Sequence, residues 1–363
     1  MIAILVGCEE SQTITMALRT CVKLDEITQA ISRSFDYEFD GVSTFNPPTM
    51  PPVPDGFRIG LIVGPSGSGK SSLLRNFGAE APVDWYPDRA ICSHFENAED
   101  AQRRLAAVGL NSIPTWMRPY HVLSTGEKFR ADLSRRLTNG AVIDEFTSVI
   151  DRNVAKACSY AIRRYCDSEG LIGLVLASCH YDIAEWLQPD WVFDTSTGRL
   201  TGRGSERRPT IELEVVPCSN KAWAMFSNHH YLSHKLNPSA RCWLVLWGAT
   251  PIGFSSVLAF PNGNFNNAWR EHRTVVLPDY QGLGIGVRIS EAVGRMFVDQ
   301  GFRYFSKTSH PRMGGYRNAS SKWRPTSKNG KARNDYDPTK ETKEDGHKMR
   351  HAERVCYSHE LIR

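Results

Sequence analysis

Two glycine-rich stretches limit what this chain can fold into more than any other feature: Gly64-Pro65-Ser66-Gly67-Ser68-Gly69-Lys70-Ser71-Ser72 and Gln281-Gly282-Leu283-Gly284-Ile285-Gly286. Each follows an apolar strand-like run, residues 59–63 and 274–277, and opens a helix-like one. Glycine at such spacing lets successive backbone N–H groups turn toward one centre without Cβ clashes, and the helix behind adds positive potential at its N-terminus. Each stretch therefore reads as a phosphate cradle. Strand, tight turn and helix form an α/β unit, and two unrelated copies within 363 residues imply two domains, each large enough for its own core.

The remaining bulk properties narrow the class. No apolar run reaches the roughly 20 residues of a membrane span. The apolar opening, residues 2–6, lacks a basic flank and runs into Glu9 and Glu10, unlike a secretory leader, so a cytoplasmic location is expected. Nine cysteines are scattered without a C-x-x-C pair, the pattern of reduced thiols rather than of disulfides or a zinc site. Charge is uneven: residues 1–208 hold 22 basic and 26 acidic side chains, a balance of −4, whereas residues 209–363 hold 22 and 13, a balance of +9. Such an excess on one half implies an anionic partner, nucleic acid first among them, with coenzyme phosphates as the plainer explanation.

The first cradle has company. Residues 141–143 form an apolar run that ends in Asp144 and Glu145, a pair placed to hold magnesium and to polarise an attacking water. With Lys70 on the terminal phosphates and Ser71 on the metal, this is a nucleotide-hydrolysing constellation. Leu123-Ser124-Thr125-Gly126-Glu127 before a helix-like run, Ser148-Val149-Ile150-Asp151, and His180 after residues 171–177 complete a set that resembles the ABC-type ATPases. That resemblance implies binding of ATP and Mg2+ by Gly64, Ser66, Gly67, Gly69, Lys70, Ser71, Ser72, Asp144 and His180, with Glu145 catalytic and Ser71 and Asp144 on the metal. It further implies that Ser124 and Gly126 act on the ATP of a partner subunit, hence a homodimer. Thr125 stands where the signature has glycine, and Ser93-His94-Phe95 stand where a glutamine loop usually meets a membrane partner. A transporter role is not expected.

Beyond the polar seam at residues 195–208, the chain alternates as a GNAT acyltransferase does: strand 210–216, helix 221–231, strands 242–247, 252–260 and 274–278, helix 286–299 and strand 303–308. This likeness implies acetyl-CoA as cofactor, with Leu277, Gln281, Gly282, Leu283, Gly284, Ile285 and Gly286 around it, the Leu277 amide facing the thioester. The segments Asn228-His229-His230-Tyr231-Leu232-Ser233-His234 and Lys307-Thr308-Ser309-His310-Pro311-Arg312-Met313-Gly314-Gly315-Tyr316-Arg317-Asn318, with Trp323 and Thr326-Ser327-Lys328-Asn329, resemble the Mom family of bacteriophage DNA-modification proteins over residues 209–363. Members are GNAT-like enzymes that modify the exocyclic amine of adenine and protect phage DNA from restriction. The resemblance makes His230 and Tyr231 the catalytic candidates, with Arg273, Ser309 and Tyr316 beside them. Either of the tandem histidines, His229 or His230, suits the role, which a general base fills at about 10²–10⁴ in rate.

An adenine taken out of its stack needs support. Trp269, Tyr316 and Trp323 are candidates to stack on it, and Arg312, Arg317, Arg324 and Lys328 to hold phosphates. The expected architecture is thus α/β: a short strand-helix segment at 1–22 that resembles the opening of phage-type DNA methyltransferases, a P-loop ABC-type ATPase domain at 23–205, and an α+β GNAT-like domain at 209–363. Residues 324–351, polar and basic, are expected to be a long loop or a segment ordered by nucleic acid. The expected partner is duplex DNA with its adenine flipped out. Alternatives are an ATP-coupled RNA acetyltransferase and a small-molecule or protein N-acetyltransferase with an ABC regulatory module.

Overall fold

The structure is a computed structural model and describes residues 17–203, 209–230, 234–261, 267–332 and 355–362. The chain forms two compact units, one comprising residues up to Leu110 with Arg118–Pro209, the other Asn111–Met117 with the residues from Thr210 onward.

In chain order the first part holds β1 (Leu18–Cys21), α1 (Glu26–Ser34), β2 (Val42–Phe45), β3 (Ile59–Val63), α2 (Lys70–Leu74), α3 (Ala98–Ala107), α4 (Ile113–Trp116), α5 (Thr125–Arg136), β4 (Val142–Ile143), α6 (Arg152–Glu169), β5 (Leu174–Ser178), α7 (Ala184–Leu187), β6 (Trp191–Asp194) and β7 (Arg199–Gly202). The main sheet runs β4-β5-β3-β6-β7, parallel except for β7. β3 and β5 are buried along their whole length, as unbroken apolar runs must be when helices cover both faces. Ile62, Leu73, Leu74, Val142, Val175, Ala177, Trp191 and Phe193 share one core. Asp190 clamps the start of β3 by accepting the amides of Arg58 and Ile59 at 2.7 and 3.0 Å.

β1 pairs antiparallel with β2, so the end of the expected strand-helix segment at 1–22 is a strand, Leu18–Cys21, and it joins a sheet with residues beyond position 22. The part of that expected segment before residue 17 lies outside the described residues.

The second unit contains β8 (Glu214–Cys218), two 3-10 turns over Asn220–Met225 and Ser227–His229, β9 (Arg241–Trp247), β10 (Thr250–Ala259), β11 (Ala268–Val276), α8 (Ile285–Val298), β12 (Arg303–Thr308), α9 (Pro311–Ala319), β13 (Trp323–Pro325), β14 (Lys331–Ala332) and β15 (Val355–Leu361). Its sheet runs β13-β15-β12-β11-β10-β9-β8, with β14 added to β15. The expected helix over 221–231 is instead the pair of 3-10 turns, which Trp223 and Phe226 plug into the sheet face. The expected loop from 324 begins as strand, since β13 and β14 both pair with β15, while residues 333–354 lie outside the described residues.

β11 and β12 are the parallel neighbours. They pair only from Ala268–Arg303 to Arg270–Phe305, and then each strand continues without the other, β11 to Val276 and β12 to Thr308. A V-shaped opening between parallel strands results. β11 also bulges: Ser256 faces Arg273 while Val257 faces Glu271, which leaves His272 as the extra residue. Such a bulge reverses the facing of everything before it. Glu271 therefore shares a face with Thr274 and Val276.

Candidate nucleotide and coenzyme sites

The first unit places its cradle after β3. Gly64, Gly67 and Gly69 have φ of 154°, 75° and 90°. A Cβ on Gly64 would lie 1.8 Å from Thr195 Oγ1, so only glycine fits. Thr195, just after β6, donates to the Val63 carbonyl at 3.1 Å, which leaves it to accept from Ser68 Oγ at 2.6 Å. Lys70 Nζ donates to the carbonyls of Gly64 and Pro65 at 2.9 and 2.7 Å and so lies across the loop. Gly69 is the N-cap of α2 and gives it no side-chain cap, which leaves the first-turn amides beside Ser71 and Ser72 for an anion. Ser66 is exposed at the loop's tip.

Parallel strands bring the partners to the same sheet edge, with Asp144 and Glu145 just past β4 and His180 just past β5. Asp144 Oδ1 accepts the Glu145 amide at 2.8 Å. Glu145 and Thr147 hold φ of 47° and 73°, strained values for residues with side chains, and Glu145 is exposed. His180 Nδ1 lies 2.9 Å from Thr147 Oγ1. Burial and the charge of Arg152 lower its pKa, so the ring is neutral at neutral pH. Ser124 caps α5 by exchanging bonds with Glu127: its amide and hydroxyl donate to the carboxylate at 3.0 and 2.9 Å. Ser124 is exposed, and Gly126 lies half-buried against Ile150.

Phe45 in β2 escaped sequence reasoning. A Cβ on Gly69 would come 2.9 Å from its ring and 3.2 Å from Pro48, so both side chains border the cradle. Among the described residues no group of three or more His, Cys, Asp and Glu can hold a metal unaided. Ser71 and Asp144 are oxygen donors of the kind magnesium takes together with phosphate oxygens, and they fit that ion.

In the second unit the Gln281–Gly286 loop links β11 to α8. Gly284 (φ 77°) is the N-cap and supplies no side-chain cap, so the first-turn amides of α8 face outward as an anion site. Beside it lies the open edge of β11. Leu277 N–H donates to the Ile252 carbonyl at 2.8 Å and is therefore spent within the sheet. That bond makes Gly253–Val276 a non-hydrogen-bonded pair, whose backbone groups point away from each other. The amide aimed into the V-shaped opening is thus that of Val276, one residue before the expected position. Gln281 Nε2 donates to the Val276 carbonyl at 2.7 Å.

At the crotch of the V sits a buried ion pair that the sequence did not suggest. Glu271 Oε2 lies 2.8 Å from Arg317 Nη2, with the side chains 9% and 1% exposed. Glu271 also accepts from Ser306 Oγ and, at 2.5 Å, from Thr274 Oγ1, while Arg317 donates to Ser290 Oγ at 2.7 Å. Burial alone would raise the Glu271 pKa, yet Arg317 and the hydroxyls hold it below its ordinary value. Arg317 is therefore no phosphate ligand: it ties α9 to β11 and α8 and lies over the Trp323 ring at 4.6 Å.

The other expected recognition residues change role as well. Trp323 is 4% exposed and cannot stack on a base, and Trp269 packs between Phe297 and Arg241. Arg324 is paired with Glu360 at 2.7 Å. Arg312 and Lys328 stay exposed.

The expected catalytic residues divide between the two faces of the sheet. Val275 packs with Trp223, Phe226 and Phe254, and the His230 ring meets Trp223 edge-on at 5.8 Å. Arg273, two residues before Val275, shares that face and donates to the carbonyls of His272 and Lys235 at 3.0 and 3.3 Å. Val276 points the other way, toward Gly286 of α8. Tyr316 lies on that second face, its hydroxyl donating to Glu291 of α8 at 2.7 Å; burial and the carboxylate push its pKa up. His230 and Arg273 thus share one face of the sheet, and Tyr316 lies on the other. Ser309 is half-buried just past β12, and Tyr231 lies outside the described residues.

Residues 206–314 match the model of the acetyltransferase (GNAT) family. No protein of curated function matches the chain. Among solved structures, the chain is similar to the ATP-binding cassette MJ0796 in a dimeric post-hydrolysis state bound to ADP and Pi, with 14% identity over 52% of this chain and 97% of that one and a TM-score of 0.36. It is also similar to an IAA acetyltransferase from Bacillus cereus, with 12% identity over 41% of this chain and 99% of that one and a TM-score of 0.30. A third is the ribosomal-protein-S18-alanine N-acetyltransferase from Escherichia coli, with 9% identity over 41% and 93% and a TM-score of 0.30. Residues 206–314, the segment that holds the V-shaped opening and the loop before α8, thus match the acetyltransferase (GNAT) family.

Proposed function

We propose that this chain transfers an acyl group from acetyl-CoA to the exocyclic amine of adenine in DNA, and that an ABC-type ATPase, paired face to face in a homodimer, controls the reaction in the cytoplasm. The observation that carries the acyl-transfer part is the open edge of β11, where the Val276 amide points into a V-shaped gap beside an uncapped helix N-terminus. There Val276 N–H would polarise the thioester carbonyl. Acetyl-CoA, when bound, would supply the acyl group with its thiolate as leaving group; His230 would take the amine proton and Tyr231 would return one to the thiolate. Arg273 and Ser309 orient the acceptor.

The balance of +9 over residues 209–363 supports a nucleic-acid acceptor, as do exposed Lys307 at the end of β12 and Arg312 and Lys328 after it. For the ATPase, the support is the gathering of Lys70, Ser71, Asp144, Glu145 and His180 at one sheet edge, with Ser124 exposed for use by a partner. Magnesium on Ser71 and Asp144 would neutralise phosphate charge there.

Mass spectrometry of nucleosides from DNA of cells that express the protein tests the acceptor. A new adenosine mass is expected, absent from the Gly284→Trp variant. Modification of tRNA alone in a mixture with duplex DNA would move the acceptor to RNA, and equal yields with and without ATP would remove the ATPase from the reaction.

A further inference from the structure

The side chain of Gln281 has one half bound and one half bare. Its Nε2 donates to the Val276 carbonyl at 2.7 Å, and its Oε1 is shut off from solvent with no hydrogen-bond donor among the described residues. The amide cannot be turned round, because Oε1 would then meet a carbonyl oxygen at that distance. Val276 turns both its N–H and its C=O toward the V-shaped gap, as Thr274 does two residues earlier. An extended ligand lying along this edge would ordinarily bond to both, as an added strand does. Here the carbonyl is taken, and the acceptor it would have offered is displaced outward by one amide group.

Coenzyme A fits that displaced acceptor. Its pantetheine arm carries two amides, each with one N–H, between the thiol and the pyrophosphate. The pyrophosphate end belongs at the Gly282–Gly286 amides, so the arm must pass Gln281 to bring its sulfur to Val276. We propose that the Gln281 side chain serves as a relay: Nε2 stays on Val276 while Oε1 accepts a pantetheine N–H, which leaves the Val276 amide free for the thioester oxygen. The residue would then select for the arm of the coenzyme and not only shape the loop that holds its phosphates. This rests on the acyl-CoA reading above.

Calorimetric titration of the full-length protein separates the two. Coenzyme A and adenosine 3′,5′-bisphosphate, its nucleotide end without the arm and without the phosphate that joins the arm, are titrated into wild type, Gln281→Met and Gln281→Ala. Loss of one hydrogen bond to an otherwise buried acceptor predicts coenzyme A binding about tenfold weaker in both variants, with the bisphosphate unchanged. Equal weakening of both ligands would assign Gln281 to the loop alone and overturn the relay. Tighter coenzyme A binding by the variants would make Gln281 a plug and overturn it too. Absence of binding of either ligand to wild type would sink the acyl-CoA reading itself. An unchanged melting temperature shows that the variants are folded.

Discussion

Replacing Arg317 by methionine tests the account of the V-shaped opening at its crotch. The guanidinium is 1% exposed, lies 2.8 Å from Glu271, bonds to Ser290 and covers Trp323. Methionine keeps most of the volume and the contact with the indole, so the principal loss is the positive charge. Glu271 then remains buried with two hydroxyl donors and no counter-ion, which costs about 3–5 kcal/mol. In a unit of this size that lowers the melting temperature by roughly 10 °C. Glu271→Gln strands the guanidinium instead and should cost a similar amount. The double variant Glu271→Gln/Arg317→Met buries no charge and should recover most of the loss, because apolar or neutral replacements of buried pairs are often close to neutral. Urea denaturation of the four proteins gives the coupling energy, expected at about 3 kcal/mol or more. Additive single effects, or a cost below about 1 kcal/mol for Arg317→Met, would refute the claim that this pair fastens β11, α8 and α9 together.

Two further outcomes follow from particular atoms. Gly64→Ala places a methyl 1.8 Å from Thr195 Oγ1 and should abolish binding of a fluorescent ATP analogue while costing about 1–3 kcal/mol of stability in the first unit; near-normal affinity would mean that the loop is not the nucleotide cradle. Burial, together with the charges of Arg273 and Arg270 for His272 and of Arg317 for His359, depresses both rings to about 4. Each folded pKa is below its unfolded value near 6.5, so both rings are neutral in the folded protein while the unfolded chain takes up protons. Stability from these groups is complete above about pH 6.5 and declines toward pH 4, by up to about 1.4 kcal/mol per pH unit for each ring. Unfolding measured between pH 7 and 4 should show that slope, and Glu271, whose folded pKa is also lowered, adds its own loss only as the pH falls through the carboxylate range.

Motifs that rest on backbone shape were legible because glycine spacing, an apolar strand and a following helix are local. β3 with its loop, and α8, form where the residues place them, whereas β11 begins at Ala268, ahead of the expected 274. The expected helix at 221–231 failed for a tertiary reason: Trp223 and Phe226 fill the face over Phe254 and hold the segment in 3-10 turns. Leu277 was misjudged by one residue because strand facing depends on the partner strand, and only the bond to Ile252 fixes it. Arg317 looked like part of a basic surface because charge counts carry no burial. Glu271, a lone acid between arginines in an otherwise strand-like run, was the one available hint that a cation would be brought to it.

Among the described helices α2 and α8 are the two with a glycine N-cap; α4, α7 and α9 lack a side-chain cap as well, but begin at Ser112, Ile183 and His310. α1, α3, α5 and α6 are closed at their N-termini by Asp25, Asn97, Ser124 and Asp151, whose side chains accept first-turn amides. α2 and α8 begin instead at Gly69 and Gly284, in left-handed backbone, with no side chain to accept anything. Glycine in place of a capping residue sacrifices only a few tenths of a kcal/mol, a loss these helices tolerate because strands flank them. What is gained is a set of converging amides that water satisfies weakly and an anion satisfies well, at the one end of the helix where its dipole helps. Side-chain caps would compete with phosphate for the same hydrogen atoms. Glycine at these two N-caps, alone among the described helices, fits the phosphate binding proposed above better than it fits helix stability, and it explains why the sequence declares both sites so plainly while concealing the residues that surround them.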